Sequence, residues 1–471
     1  MDARNSRSIL IDAVPGRAVR TNDASAMQEI LAIDEKMAKT TQKLEADFSK
    51  LEAKIHRFPR GLRGIGGDGG RYIAPSVVAI GPYHHGAPEL EKMEEVKLAA
   101  AYYLCRNSGH STVEVYDRVR SVAAAARGCY EADDPSVEGL SDAEFAAMMF
   151  LDGCFLLQYM ADDAAPVLQN RMTLSTGPSI QKDIFLLENQ IPWLVLQALI
   201  EFFPVDVLGF VKAMGVEFLP GKAAAEQGSR RRMQWRRLHI PAPGTTRVDE
   251  SRGGGGTADE TYYSPPHLLG LLRYAKVGCM PAGEWDYTGI PSLLSSSAVE
   301  LAQIGVVLSP STEAWFGDMR VHRRRRLFGE LSLSQLFLSE VTASWLVNMA
   351  ALEASTSRED SSDGFVVSSY LSVLAMLMDS DEDVAKHVLY STFSNKQALG
   401  FFKGLSQHLR FGSRYFAVLE QIDSYKRQKS VRIAIHRLLY NSFKAMTIAT
   451  LFSIVGVLVG IFKTLLDNKK Q

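Results

Sequence analysis

The stretch DIFLLENQIPWLVLQAL, Asp183 to Leu199, restricts the fold more than any other part of the chain. Two apolar runs flank Glu188, Asn189 and Gln190, and Pro192 follows after a single residue. A proline suits the start of a helix, where its missing N–H breaks no bond. The residue before it, Ile191, is pushed out of helical geometry. The sequence therefore predicts one helix ending in "DIFLL" and a second beginning at "PWLVLQALIEFF". Helix ends leave carbonyl and N–H groups without partners, and a buried joint must satisfy them. Carboxylate and amide side chains do this, and Asn189 tolerates a left-handed backbone. The competing reading is an active site set into a hydrophobic wall. One carboxylate without a base or nucleophile beside it is a poor catalytic set, so the joint is preferred.

The chain has 471 residues, 46% of them hydrophobic, with a formal net charge of −1. That length suggests about two to four domains, or one large one, and the composition suffices for a sizeable core. The balanced charge gives no reason to expect nucleic acid as a partner. Cys105, Cys129, Cys154 and Cys279 lack metal-like spacing and read as reduced thiols of a cytosolic setting. There is no Gly-x-Ser-x-Gly, His-Glu-x-x-His or Cys-x-x-Cys motif. No catalytic, cofactor-binding or metal-binding residue is assigned, and no cofactor is expected.

Residues 1–24 read as an unstructured N-terminus. From Ile30 an apolar ladder through Ile33, Met37, Leu44, Phe48, Leu51 and Ile55 marks one face of a long helix. Such a stripe packs either on the chain's own core, the favoured reading, or on a coiled-coil partner. "ELEKMEEVKLAAAYYL" is a strong helix former, and "SDAEFAAMMFLDGCFLLQYM" opens with a capping box, Ser141 with Glu144. Low periodicity marks mobile loops near 221–258 and 355–364. No βαβ alternation appears, which argues against a dinucleotide-binding sheet. The expected fold is mainly α: a large helical domain over 25–440 with a few short strands, then a single C-terminal transmembrane helix.

That last helix is predicted over 445–462, AMTIATLFSIVGVLVGIF, an 18-residue run without a charge. It stands at the lower edge of what spans a bilayer core of about 30 Å. Six Lys/Arg and no acid precede it in KRQKSVRIAIHRLLYNSFK, the charge pattern of a cytoplasmic flank. The expectation is a single-pass anchor, residues 463–471 as a short tail, and a main domain in the cytosol, with the plasma membrane as location.

Other motifs are weaker. "GLRGIGGDGG" lacks the Gly-Lys-Ser/Thr ending of a phosphate-binding loop. "DSDEDV" lacks the glycine and the final carboxylate of a calcium loop. His84 and His85 are adjacent and diverge, so they cannot grip one metal together. Two arginine clusters, Arg230, Arg231 and Arg232, and Arg323 with Arg324, are candidate interaction surfaces, with ordinary solvated charge as the alternative.

Several blocks in order carry a family resemblance. "LLENQIPW" resembles the Leu-Glu-Asn-Gln-Ile-Pro signature of the plant-specific family of unknown function numbered 247. "IHRFPRGLR", "YIAPSVVAIGPYHHG", "FLDGCFLLQYM", "HLLGLLRY" and "SSSAVELAQIGVVL" resemble its other blocks, with Phe58 for the usual valine and Val299 for threonine. On this resemblance Asp152, Gly153, Cys154, Glu188, Asn189, Gln190 and Pro192 are signature residues. The family is not known to be enzymatic, so the resemblance supplies no catalytic residues. It implies a membrane-anchored plant protein. Some grass members are implicated as pollen-side determinants of self-incompatibility.

Two functions from different classes follow. One is a membrane-tethered recognition or signalling protein without catalytic activity, whose partners are other proteins, small secreted pistil proteins among them. The other is a membrane-associated hydrolase or transferase with an unfamiliar site around His84, His85, Asp152 and Glu188. Convergence of those four side chains on one open pocket would favour the enzyme. No oligomeric state follows from the sequence.

Overall fold

The computed structural model describes residues 55–63, 70–131, 133–161, 176–220, 264–277, 297–311, 315–323, 329–356, 365–379, 388–409 and 411–428. It also describes 32–33, 35–41, 453, 456 and 457. The chain divides into two units, Met1–Glu52 and Ala53–Gln471. In the first, the described residues are helical, with Ile33 and Met37 exposed and Lys39 paired to Glu35.

The second unit is mainly helical and shares one apolar core. Its first half holds α1 (Lys92–Ser108), α2 (Thr112–Arg127), α3 (Asp142–Met160), α4 (Thr176–Asp183), α5 (Trp193–Ile200) and α6 (Val207–Val216). Helix α3 is buried on nearly every side from Phe145 to Met160 and packs against α1, α2 and α5. A helix apolar all round belongs at the centre of a bundle. Its start is fixed by the Ser141–Glu144 capping box, with both reciprocal bonds present. Gly153 allows the close approach of α5. A methyl group there would meet Leu199 Cδ1 at 2.3 Å, well inside contact distance.

The second half holds α7 (Leu268–Val277), α8 (Ala298–Gln303), α9 (Glu340–Thr356), α10 (Val366–Leu377), α11 (Asn395–Ser406) and α12 (Ser413–Gln428). A small sheet orders its strands β1 (Val306–Pro310), β3 (Gly329–Leu333), β2 (Arg320–Arg323), with β3 parallel to β1 and antiparallel to β2. Strands β4 (Leu336–Leu338) and β5 (Leu389–Ser391) form a separate parallel pair. Glu353 ties three helices together. Its carboxylate accepts from Arg273 on α7 and from the backbone N–H groups of Val367 and Ser368 at the start of α10. Those N–H groups need it, because the residue preceding α10, Phe365, gives no side-chain cap.

The membrane-spanning helix expected over 445–462 is corrected. Among the described residues, no helix is long and apolar enough to cross a membrane. Only Ser453, Gly456 and Val457 of that run are described, helical and exposed; the remainder lies outside the described residues. The run is short for a bilayer, and Thr447, Thr450, Ser453, Gly456 and Gly460 dilute its apolar character. The single-pass anchor, the membrane as a partner and the plasma-membrane location with a cytosolic main domain rested on that helix and fall with it. Of the loop expected at 355–364, Ser355 and Thr356 instead end α9; the rest of it, the loop expected at 221–258, the "DSDEDV" stretch beyond Asp379, Cys279, Arg230, Arg231, Arg232 and Arg324 lie outside the described residues.

Candidate functional site: a buried polar junction

The joint predicted at residues 188–190 lies between α4 and α5. Helix α4 ends at Asp183, residues 184–192 are non-helical, and α5 begins at Trp193. Pro192 takes the N-cap position with extended geometry, one residue earlier than a first-turn proline. Trp193 N donates instead to Pro266 O at 2.8 Å.

Asn189 is fully buried. Its Oδ1 accepts from Ile80 N at 2.7 Å, and its Nδ2 donates to Val78 O at 3.0 Å and Asp183 O at 2.9 Å. Gln190 works the other way along the chain. Its Nε2 donates to the carbonyls of Ile184, Leu186 and Asn189, and its Oε1 accepts from Leu269 N at 2.9 Å near the start of α7. Each amide thus satisfies backbone carbonyls with its nitrogen, one of them the distant Val78 O for Asn189, and a distant N–H with its oxygen. A buried backbone group left without such a partner costs about 1–3 kcal/mol.

Glu188 faces the "IHRFPRGLR" block. Its Oε1 accepts from Phe58 N at 2.7 Å and from the Arg63 guanidinium at 2.8 Å. Its Oε2 stands 3.4 Å from Arg57 Nη1 and 3.6 Å from His84 Nε2. Arg57 forks onto Asp134 at 2.7 and 2.9 Å and lies 4.0 Å above the Tyr83 ring. The bond from Arg57 holds the Asp134 carboxyl below the usual carboxylate range. Burial lowers the His84 imidazole, against the pull of Glu188. A neutral histidine at neutral pH follows.

Asp152 lies inside α3, 1% exposed. Its Oδ2 accepts from Gly81 N at 2.7 Å, and its Oδ1 stands 2.6 Å from Lys97 Nζ on α1. Burial raises the Asp152 carboxyl, while Lys97 opposes that shift. For Lys97, burial works downward, and the attraction of Asp152 and Glu94 outweighs it. Gly81 is required twice over: its φ is +77°, and a Cβ there would sit 2.4 Å from Gln190 O. Asp183, also fully buried, accepts from the N–H groups of Ser76, Val77 and Val78. Asn348 on α9 closes the assembly, accepting from Leu187 N and donating to Tyr72 O.

Of the four side chains named for an enzyme, His84 and Glu188 are adjacent. Asp152 is turned to Gly81 and Lys97, and His85 is exposed. A cleft of about 170 Å³ lies elsewhere, lined by Ser297, Ser372, Lys403 and Tyr415 among others. Among the described residues, no group of three His, Cys, Asp or Glu is placed to hold a metal ion. Cys154 is a buried free thiol. Arg323 ends β2, its backbone paired with Gly329. Sequence reasoning missed Lys97, Asp183, Asn348 and Glu353. Only Lys97 carried a local signal, the Glu94 three residues before it.

The fold and junction define a mainly helical domain whose signature segments bind one another's backbones. The chain belongs to the family of plant proteins of unknown function numbered 247, which it matches over residues 55–459. It is similar to the UPF0481 protein At3g47200 of Arabidopsis thaliana, 26% identical over 356 residues, covering 72% of this chain and 69% of that one. It is also similar to the putative UPF0481 protein At3g02645 of the same plant, 28% identical over 160 residues, 34% of this chain and 29% of that one. No solved structure matches it.

Proposed function

We propose that this chain is a non-catalytic recognition protein that acts by binding other proteins. One observation carries the reading: the polar groups of Asp152, Asp183, Glu188, Asn189 and Gln190 are engaged by backbone and by each other's neighbours. A catalytic carboxylate needs a free lone pair directed at substrate. Glu188, the best candidate, is held by Phe58 N and two arginines. In this reading the signature shapes the fold, and binding belongs to the surface.

The His84–Glu188 contact at 3.6 Å is what favours the second reading, a hydrolase or transferase. Glu188→Gln and His84→Asn separate the two. The recognition reading expects proteins captured from the native tissue to be retained by both variants wherever the thermal midpoint is retained. Turnover of an ester, phosphoester or glycoside substrate by the wild type, abolished by either variant at an unchanged midpoint, would overturn it.

A further inference from the structure

Helix α1 buries Met93, Val96, Ala100 and Leu104 and leaves the opposite side to solvent. On that side stand Glu95, Leu98, Tyr102 and Arg106, three or four residues apart. At 100° per residue they fall in one narrow stripe. Leu98 is 58% exposed and Tyr102 57%, which is unusual for two large apolar side chains one turn apart. Arg106 reaches back over the Tyr102 ring and donates to its hydroxyl at 3.3 Å. Among the described residues neither Glu95 nor Arg106 has an ion-pair partner.

The stripe is self-complementary. Turned end over end about a two-fold axis near residue 100, the helix presents Leu98 to Tyr102, Tyr102 to Leu98, Glu95 to Arg106 and Arg106 to Glu95. Ala99, partly buried at the centre, is small enough to let two helices approach closely. In the reverse, parallel arrangement Glu95 would face Glu95 and Arg106 would face Arg106. We propose that this face is the interface of an antiparallel homodimer, α1 of one copy lying against α1 of a second copy. A two-fold interface repeats every contact, so each charged pair counts twice. One helix pair is a small interface, which sets the association in the weak range, with Kd of about 1–100 µM.

Sedimentation of the full chain across that range is the test. The wild type should shift from monomer to dimer as concentration rises. Glu95→Arg and Arg106→Glu should each weaken the dimer about tenfold, because each turns two attractions into repulsions. The combined variant Glu95→Arg/Arg106→Glu should return to within about threefold of wild type. Both positions of change are exposed, and circular dichroism checks that the fold is kept. As a separate readout, Ala99→Cys should give a disulfide-linked dimer on mild oxidation, and Asn107→Cys should not. A wild type that stays monomeric to about 100 µM overturns the proposal. So does a dimer insensitive to both single reversals, or one that the combined variant fails to restore.

Discussion

Lys97 Nζ and Asp152 Oδ1 stand 2.6 Å apart, with 0% and 1% of their side chains exposed. The pair lies between α1 and α3 and is completed by Glu94 on the lysine and by Gly81 N–H on the carboxylate. Removing two charges from water is unfavourable unless each is fully partnered. Here the lysine has two carboxylates beside it and the carboxylate has the lysine and one backbone N–H, and the consequence is that neither tolerates the loss of the other.

Lys97→Met should lower the unfolding free energy by about 3–5 kcal/mol, the usual effect of stranding a buried charge. Adding Asp152→Asn should recover part of it, since the amide still accepts from Gly81 N without carrying charge. Denaturant unfolding measures both. A double variant no better than Lys97→Met would mean that the charge is not the source.

Asn189→Ala strands Ile80 N, Val78 O and Asp183 O together. The expected loss is at least about 2–3 kcal/mol. Thermal unfolding is the measurement, and an unchanged midpoint contradicts the junction's role.

Gly153→Ala forces a methyl group against Leu199. Overpacking of this kind costs about 1–3 kcal/mol. Leu199→Ala destabilises by itself, yet in the Gly153→Ala background it should cost less. A double-mutant cycle that is purely additive would show that α5 simply moves away.

His267 gives a pH dependence. Burial first, and His56 second, lower its pKa to about 3. The unfolded chain therefore takes up the proton near the ordinary value of about 6.5 while the folded chain does not. Stability is lost as pH falls below that value, by about 1.4 kcal/mol per pH unit from this group, and the loss continues down to the folded pKa. His267→Asn, which retains an acceptor for Gly270 N, should flatten the slope between pH 6 and pH 4.5. An equal slope in both proteins would remove His267 as its cause.

The joint at Glu188–Gln190 was legible because its causes are local: a proline, the residue before it, and apolar runs on both sides. Its partners were not. Asn189 meets Ile80 across 109 residues and Glu188 meets Phe58 across 130, separations that no periodicity encodes. The resemblance named the segments without saying that they touch. Lys97 was hidden because a lysine following two glutamates looks like solvated helix charge. Glu353 and Asn348 sit within a helix pattern and acquire meaning only when α10 and Tyr72 arrive. The apolar run at 445–462 misled because a charge-free stretch at the lower edge of bilayer length, preceded by a basic flank, was read as a span although glycines and hydroxyls interrupt it.

The bond from Asn348 to Tyr72 spans 276 residues. During synthesis, the segment carrying Tyr72, Asp183-bound Ser76 and Gly81 leaves the ribosome long before its last partner exists. At about 5–20 residues per second the wait is roughly 15–50 s. For that interval the nascent chain holds apolar segments and buried-type carboxylates without their final neighbours, a period in which chaperones have a client. A premature stop before residue 348 would therefore yield an unfinished signature rather than a shorter functional protein.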